Sequence, residues 1–107
     1  MATELKELRE LLDRLGKQTG GIQFSQLYPL SDLAVEELAE FQSQWATFPA
    51  AQRRRVSRAL VELAEADFQV SFDAVFRYCL DDPDDQVRAT AVDGLWENEA
   101  VTLVGPF

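Results

Sequence analysis

The chain has 107 residues, 47% of them hydrophobic and 27% charged, which suits one folded domain with one core and is too short for two. Nineteen acidic residues against ten basic ones give a formal net charge of −9, so the average field repels nucleic acid and anionic membranes. With no histidine and one cysteine, the sequence argues against a metal site of the zinc type, an internal disulfide and a histidine-dependent catalytic triad.

The first predicted element is an amphipathic helix over residues 1–16. Its leucines recur at spacings of three and four residues, at Leu5, Leu8, Leu12 and Leu15. We expect Gly16 to end this helix. Residues 17–32 contain two adjacent glycines and Pro29, so they are predicted to be a connection, and their apolar side chains suggest that it packs on the body of the protein.

Two pairs of amphipathic helices are predicted to follow. Residues 33–66 form the first pair, with Pro49 suited to the first turn of its second helix. Residues 71–98 form the second pair, and Pro83 ends the first helix of that pair. Because the connections within the pairs are short, each pair is expected to be an antiparallel hairpin. No stretch shows sustained strand-like alternation, so we predict a single all-α domain over residues 1–107.

The two pairs repeat in register, and the second pair carries a recognisable pattern. Leu60 aligns with Val92 and Leu63 with Leu95, a spacing typical of helical solenoids. The second pair contains an Asp-Pro-Asp turn followed by Val-Arg, an alanine and a leucine, at Asp82-Pro83-Asp84, Val87-Arg88, Ala91 and Leu95. This order of residues resembles the HEAT-repeat signature. The best match covers residues 71–98, and residues 33–66 fit in outline.

The resemblance implies a fold and a class of function. The fold would be helical hairpins stacked as a short HEAT-like right-handed solenoid, with residues 99–107 as the start of a further repeat and the chain as the N-terminal part of a longer array. HEAT-like proteins are mostly scaffolds and adaptors, so the resemblance implies a non-enzymatic protein-interaction module with a protein partner and no cofactor. The alternative is a HEAT-like enzyme component of the bilin lyase subunit type, or a nucleic-acid-acting relative such as a DNA glycosylase.

Arg88 lies at an unusual place for a charged residue. On a helical wheel it falls within the apolar arc formed by Val87, Ala91, Val92 and Leu95. The resemblance implies a structural role, in which the arginine stem lies on apolar neighbours while its guanidinium reaches carbonyls and carboxylates of the turn. Asp82 and Asp84 are the nearest candidates. We therefore predict that these three residues form a structural clamp and that the chain has no catalytic residues.

Arg54, Arg55 and Arg58 belong to the one basic concentration in the acidic chain. They lie opposite the apolar residues of their helix, so one interpretation is a solvated face. The other is a patch that binds an acidic partner or a phosphate group. The sequence leaves both interpretations open.

The two ends of the chain predict where the protein is located and whether it associates with itself. The N-terminus has no basic segment followed by an apolar run, and no apolar stretch is long enough to cross a bilayer, so we expect a cytoplasmic protein without a membrane partner. At the other end, Val101, Leu103, Val104 and Phe107 are apolar. Together with Trp96 they predict self-association through the C-terminal end, or a tail folded back on the domain.

Overall fold

The computed structural model describes the backbone of residues 2–67 and 69–104 and the side chains of residues 5–67 and 69–96. All of the regular elements in these residues are helical, which confirms the all-α prediction. They are α1 (Ala2–Lys17), α2 (Phe24–Leu27), a 3-10 turn (Tyr28–Leu30), α3 (Val35–Trp45), α4 (Ala50–Ala66), α5 (Asp73–Cys79) and α6 (Asp85–Val104).

Helix α1 packs mainly on α3. Four leucines of α1 are buried, Leu8, Leu11, Leu12 and Leu15, while Leu5 is half-buried. The facing side of α3 contributes Phe41 and Trp45, whose stacked rings lie 5.1 Å apart between centroids. Gly16 does not end the helix as expected, since α1 continues to Lys17. It is needed for close approach, because a Cβ at this position would lie 2.6 Å from the ring of Phe48.

The second half of the core is built around α6, which packs on both α4 and α5. The buried apolar residues of this part are Val56, Ala59, Leu60, Leu63, Val75, Phe76, Cys79, Val87 and Ala91. Gly94 is also buried, and the ring of Phe76 occupies the space where a side chain would otherwise lie. The absence of a Cβ therefore lets α5 approach α6.

The helices of residues 33–66 do not form the packed hairpin that their short connection suggested. Helix α3 has its main contacts with α1, whereas α4 has its main contacts with α6. The reason lies in their apolar faces, because the aromatic face of α3 meets the leucines of α1 and the aliphatic face of α4 meets α6. Within residues 71–98, α5 and α6 do pack on each other.

Two segments differ from the sequence-based bounds. The connection over residues 17–32 contains α2 and the 3-10 turn, which bury Leu27 and Leu30 in the core. Helix α6 runs on to Val104, so residues 99–104 continue the same helix and do not start a further repeat. The apolar residues predicted to mediate self-association, Val101, Leu103, Val104 and Phe107, have side chains outside the described residues.

Candidate functional site

Asp82 is the centre of a buried polar junction at the turn between α5 and α6. Only 3% of its side chain is exposed. Trp45 donates its indole Nε1–H to Asp82 Oδ2 at 2.9 Å, and Arg53 Nε lies 3.0 Å from the same oxygen. The backbone N–H of Asp84 donates to Asp82 Oδ1 at 2.9 Å. One carboxylate thus joins α3, α4 and the turn.

Arg53 is the cationic partner in this junction, and sequence reasoning did not select it. Its side chain is 12% exposed, and its Nη1 donates to the carbonyl oxygen of Phe48 at 2.6 Å. A buried pair of opposite charges with additional hydrogen bonds avoids the cost of an isolated buried charge. In the sequence, the signal for Arg53 was its place at the start of an arginine run, 29 residues before Asp82.

Asp84 forms a second ion pair beside the first. Arg54 donates from Nε to Asp84 Oδ2 at 2.9 Å and from Nη2 to Oδ1 at 2.5 Å, a bidentate arrangement. The guanidinium lowers the pKa of the Asp84 carboxyl to about 2. Asp84 Oδ2 also accepts the backbone N–H of Val87 at 3.0 Å, so Asp84 serves as the N-cap of α6.

Arg88 contacts the turn at one of its two candidate partners, Asp82, through the backbone carbonyl oxygen and not through a carboxylate. Arg88 Nη1 donates to the backbone carbonyl oxygen of Asp82 at 2.7 Å, while Arg53 and Arg54 take the two carboxylates. The physical reason is that Arg88 lies on the exposed side of α6. The clamp is therefore made by α4 and the turn.

The predicted patch of Arg54, Arg55 and Arg58 is not assembled as a free surface. Arg54 is turned to Asp84, and Arg55 donates to the carbonyl oxygen of Gln18 at 2.9 Å and to that of Gly20. These carbonyls follow the end of α1, where backbone groups lack helical partners. Arg58 is exposed. Two of the three guanidinium groups are thus occupied by contacts within the protein.

Gln52 is a further buried polar residue that the sequence did not indicate. Its Nε2 donates to the carbonyl oxygen of Leu15 at 2.5 Å and to that of Gln18 at 3.0 Å, and its Oε1 accepts from Arg55 at 2.7 Å. It joins α4 to the end of α1. Gln52 and Arg55 therefore hold α4 to the end of α1.

Cys79 is fully buried, and burial raises the pKa of its thiol to about 12, with a smaller contribution from the negative charge of Asp82. We expect the native protein to react with a thiol reagent such as DTNB only through opening of the fold, because the reactive thiolate is disfavoured and inaccessible. The check is labelling near neutral pH with and without guanidinium chloride. Labelling of the native protein as fast as that of the unfolded chain would contradict this expectation.

The surface of α6 carries a pair of exposed apolar side chains, Val92 and Trp96, which we call the α6 stripe. Val92 is 54% exposed and Trp96 is 63% exposed, and the two lie one helical turn apart on the same face. The sequence placed Val92 in the apolar arc, but the buried arc is narrower and centres on Val87 and Ala91. An exposed tryptophan beside an exposed valine is typical of a contact surface.

Comparison with protein-family models, curated proteins and solved structures finds no match to this chain. Among the described side chains, no cluster of three or more cysteine, aspartate or glutamate residues is arranged to hold a metal ion. In the same part of the chain, every helix is too short or too polar to cross a bilayer. Function is therefore inferred from the residues and their geometry.

Proposed function

We propose that this chain is a non-enzymatic protein-interaction module, a scaffold or adaptor built of HEAT-like helical pairs, and that the α6 stripe binds its protein partner. The exposure of Trp96 beside Val92 carries the proposal. A tryptophan buries a large apolar area on contact, and tryptophans are enriched among the residues that dominate binding energy at protein interfaces. Covering Trp96 together with Val92 by a partner would therefore gain free energy from apolar burial.

The packing of α4 and α5 on α6 supports the HEAT-like part of the proposal, whereas α3 packs mainly on α1 and not on α4. Helices α4 and α6 are the second members of the two helical pairs, and they pack against each other, while the first members, α3 and α5, also touch. In a repeat array each unit packs on its neighbours, and the outer face of the last unit is left to contact the next element. The proposal assigns the α6 stripe to such a face because the stripe lies on the side of α6 away from Val87 and Ala91.

The nucleic-acid alternative requires a basic concave surface. Arg54 and Arg55, two of the residues that would have to form it, are held in contacts with Asp84 and with the end of α1. The net charge of −9 also opposes binding to a polyanion. No observation on the described residues specifically favours a bilin lyase subunit, so protein binding is the function that the geometry supports best.

The proposal predicts that Val92→Ser combined with Trp96→Ser abolishes binding of a protein partner without lowering the unfolding midpoint, since both side chains are exposed. The matched control is Val35→Ser, because Val35 is 84% exposed on a different helix. The measurement is affinity capture from a nuclease-treated extract of the source organism, with quantitative mass spectrometry. We expect one species that wild type and Val35→Ser retain and the stripe variant loses.

Sedimentation velocity of the same three proteins separates a second copy from an external partner. An external partner requires all three to be monomeric when no partner is present, whereas the self-association that the sequence predicts through Trp96 and the C-terminal end requires a wild-type dimer. A wild-type chain that dimerises while the stripe variant stays monomeric would assign the α6 stripe to self-association and overturn the external partner. Capture profiles that do not distinguish the stripe variant from Val35→Ser would reject the stripe as a binding surface.

A further inference from the structure

A second surface lies far along the chain from the α6 stripe. It is an open groove of about 610 Å³ between α1, the α2 segment and the first turn of α3. This volume is within the range of ligand-binding clefts, about 300–1,000 Å³. Leu8 and Leu11 of α1 contribute an apolar floor, and both are almost completely buried. Because only 4% of Leu8 and 7% of Leu11 is exposed, the floor is a narrow apolar strip that can contact one aliphatic stem.

The rim of the groove is acidic. Glu7 and Glu10 of α1 and Glu37 of α3 line it, together with a single cation, Arg14. Glu7 and Glu10 lie three residues apart, so they share a face of α1, and both are exposed. Among the described side chains, neither has an ion-pair partner. Glu37 is held at its place because its Oε1 accepts the backbone N–H of Ala34 at 2.8 Å.

We propose that this groove binds a lysine- or arginine-bearing segment of a partner protein. Such a side chain combines an aliphatic stem with a cationic head, and the groove combines a leucine floor with a carboxylate rim. The stem would lie on Leu8 and Leu11 while the head reaches the carboxylates of Glu7, Glu10 and Glu37. Charge complementarity selects this partner, because three glutamates face the opening against one arginine.

The proposal does not depend on the α6 stripe, which is apolar and carried by another helix. A basic segment drawn to the protein by its net charge alone would bind anywhere on the acidic surface. The groove differs from the rest of the acidic surface because its glutamates lie beside the apolar floor. Binding there should therefore depend on which glutamates are present and on the length of the aliphatic stem, and not only on total charge.

The first test uses a short fluorescein-labelled peptide in which lysine alternates with glycine, measured by fluorescence anisotropy. Glu7→Gln combined with Glu10→Gln is expected to weaken binding about tenfold. The matched control is Glu62→Gln combined with Glu65→Gln, which removes the same charge at the same spacing from exposed positions of α4. This control should change the affinity by less than about twofold. Equal weakening by both variants would mean diffuse attraction and would overturn the proposal.

The second test examines the leucine floor without altering the protein. In the peptide each lysine is replaced by ornithine, which stays protonated at neutral pH and shortens the aliphatic stem by one methylene group. We expect binding to weaken about threefold or more. A short-stem peptide that binds as tightly as the lysine peptide, or spermine displacing the lysine peptide at equal charge concentration, would assign the groove to any polycation and overturn the proposal.

The third readout separates this groove from the proposed function. The Val92→Ser and Trp96→Ser double variant should bind the lysine peptide with unchanged affinity, and the fluorescence emission of Trp96 in the wild-type protein should not shift. Loss of peptide binding in the stripe variant would place the peptide on α6 and reject the groove. If the stripe variant captures the same proteins as wild type while the lysine peptide still binds, the proposed function is rejected and the groove proposal is not.

Discussion

Replacing Asp82 by alanine is expected to lower the free energy of unfolding by about 3–5 kcal/mol, the cost of removing one partner of a buried ion pair. Arg53 would keep its charge with 12% of its side chain exposed and no carboxylate beside it. The indole N–H of Trp45 would lose its buried acceptor at 2.9 Å, and the backbone N–H of Asp84 would lose another. A single substitution thus disturbs α3, α4 and the turn before α6.

Urea denaturation followed by tryptophan fluorescence measures this effect, because Trp45 is part of the junction. Asp81→Ala is the matched control, since Asp81 is the adjacent aspartate and is exposed. It should change stability by less than about 0.5 kcal/mol. Asp82→Asn keeps an acceptor for Trp45 but removes the charge, so it should fall between the two. The junction would lose its assigned role if Asp82→Ala were no more destabilising than Asp81→Ala.

Gly94→Ala is expected to lower the free energy of unfolding by about 1–2 kcal/mol, even though alanine is the better helix former. The new Cβ would lie 2.5 Å from two ring atoms of Phe76, and that ring is buried in the core between α5 and α6. Overpacking a core costs about 1–3 kcal/mol, which exceeds the gain in helix propensity of about 1 kcal/mol or less. The two helices would have to move apart.

Thermal unfolding measures this change, with Gly21→Ala as the control. Nothing lies within 4 Å of a Cβ at Gly21, and no glycine of the described chain has a positive φ. Alanine at Gly21 should therefore leave the midpoint unchanged or raise it slightly. Adding Phe76→Leu to Gly94→Ala should recover part of the loss, since the smaller side chain makes room. A Gly94→Ala protein as stable as Gly21→Ala would show that α6 does not need this close approach.

The two proposals place protein contacts at different parts of the molecule, the α6 stripe and the acidic groove, and give these contacts different chemistry. The stripe on α6 is apolar and carries Trp96. The groove beside α1 pairs a leucine floor with Glu7, Glu10 and Glu37. The stripe is tested by Val92→Ser with Trp96→Ser, and the groove by Glu7→Gln with Glu10→Gln. A partner that contacts both surfaces would lose affinity with each of these two double variants.

The positions of the five longer helices were readable from the sequence by itself, whereas those of α2 and the 3-10 turn were not. The leucine spacing at the start of the chain predicted a helix over residues 1–16, close to the observed Ala2–Lys17. Pro49 and Pro83 marked the connections before α4 and α6. These predictions hold because helical periodicity and the restrictions of proline act over a few residues, and local structure follows from neighbours in the chain.

The tertiary structure alone decided which side of each helix is covered and which charges pair. A helical wheel places Val92 and Arg88 in one broad arc with Val87, but it does not say that α4 and α5 cover only the side of α6 that bears Val87 and Ala91. Likewise, Arg53 and Arg54 reach the aspartates of the turn because α4 packs along α6, bringing together residues about thirty positions apart in the chain. Such pairings depend on the relative placement of helices, which short-range sequence patterns do not encode.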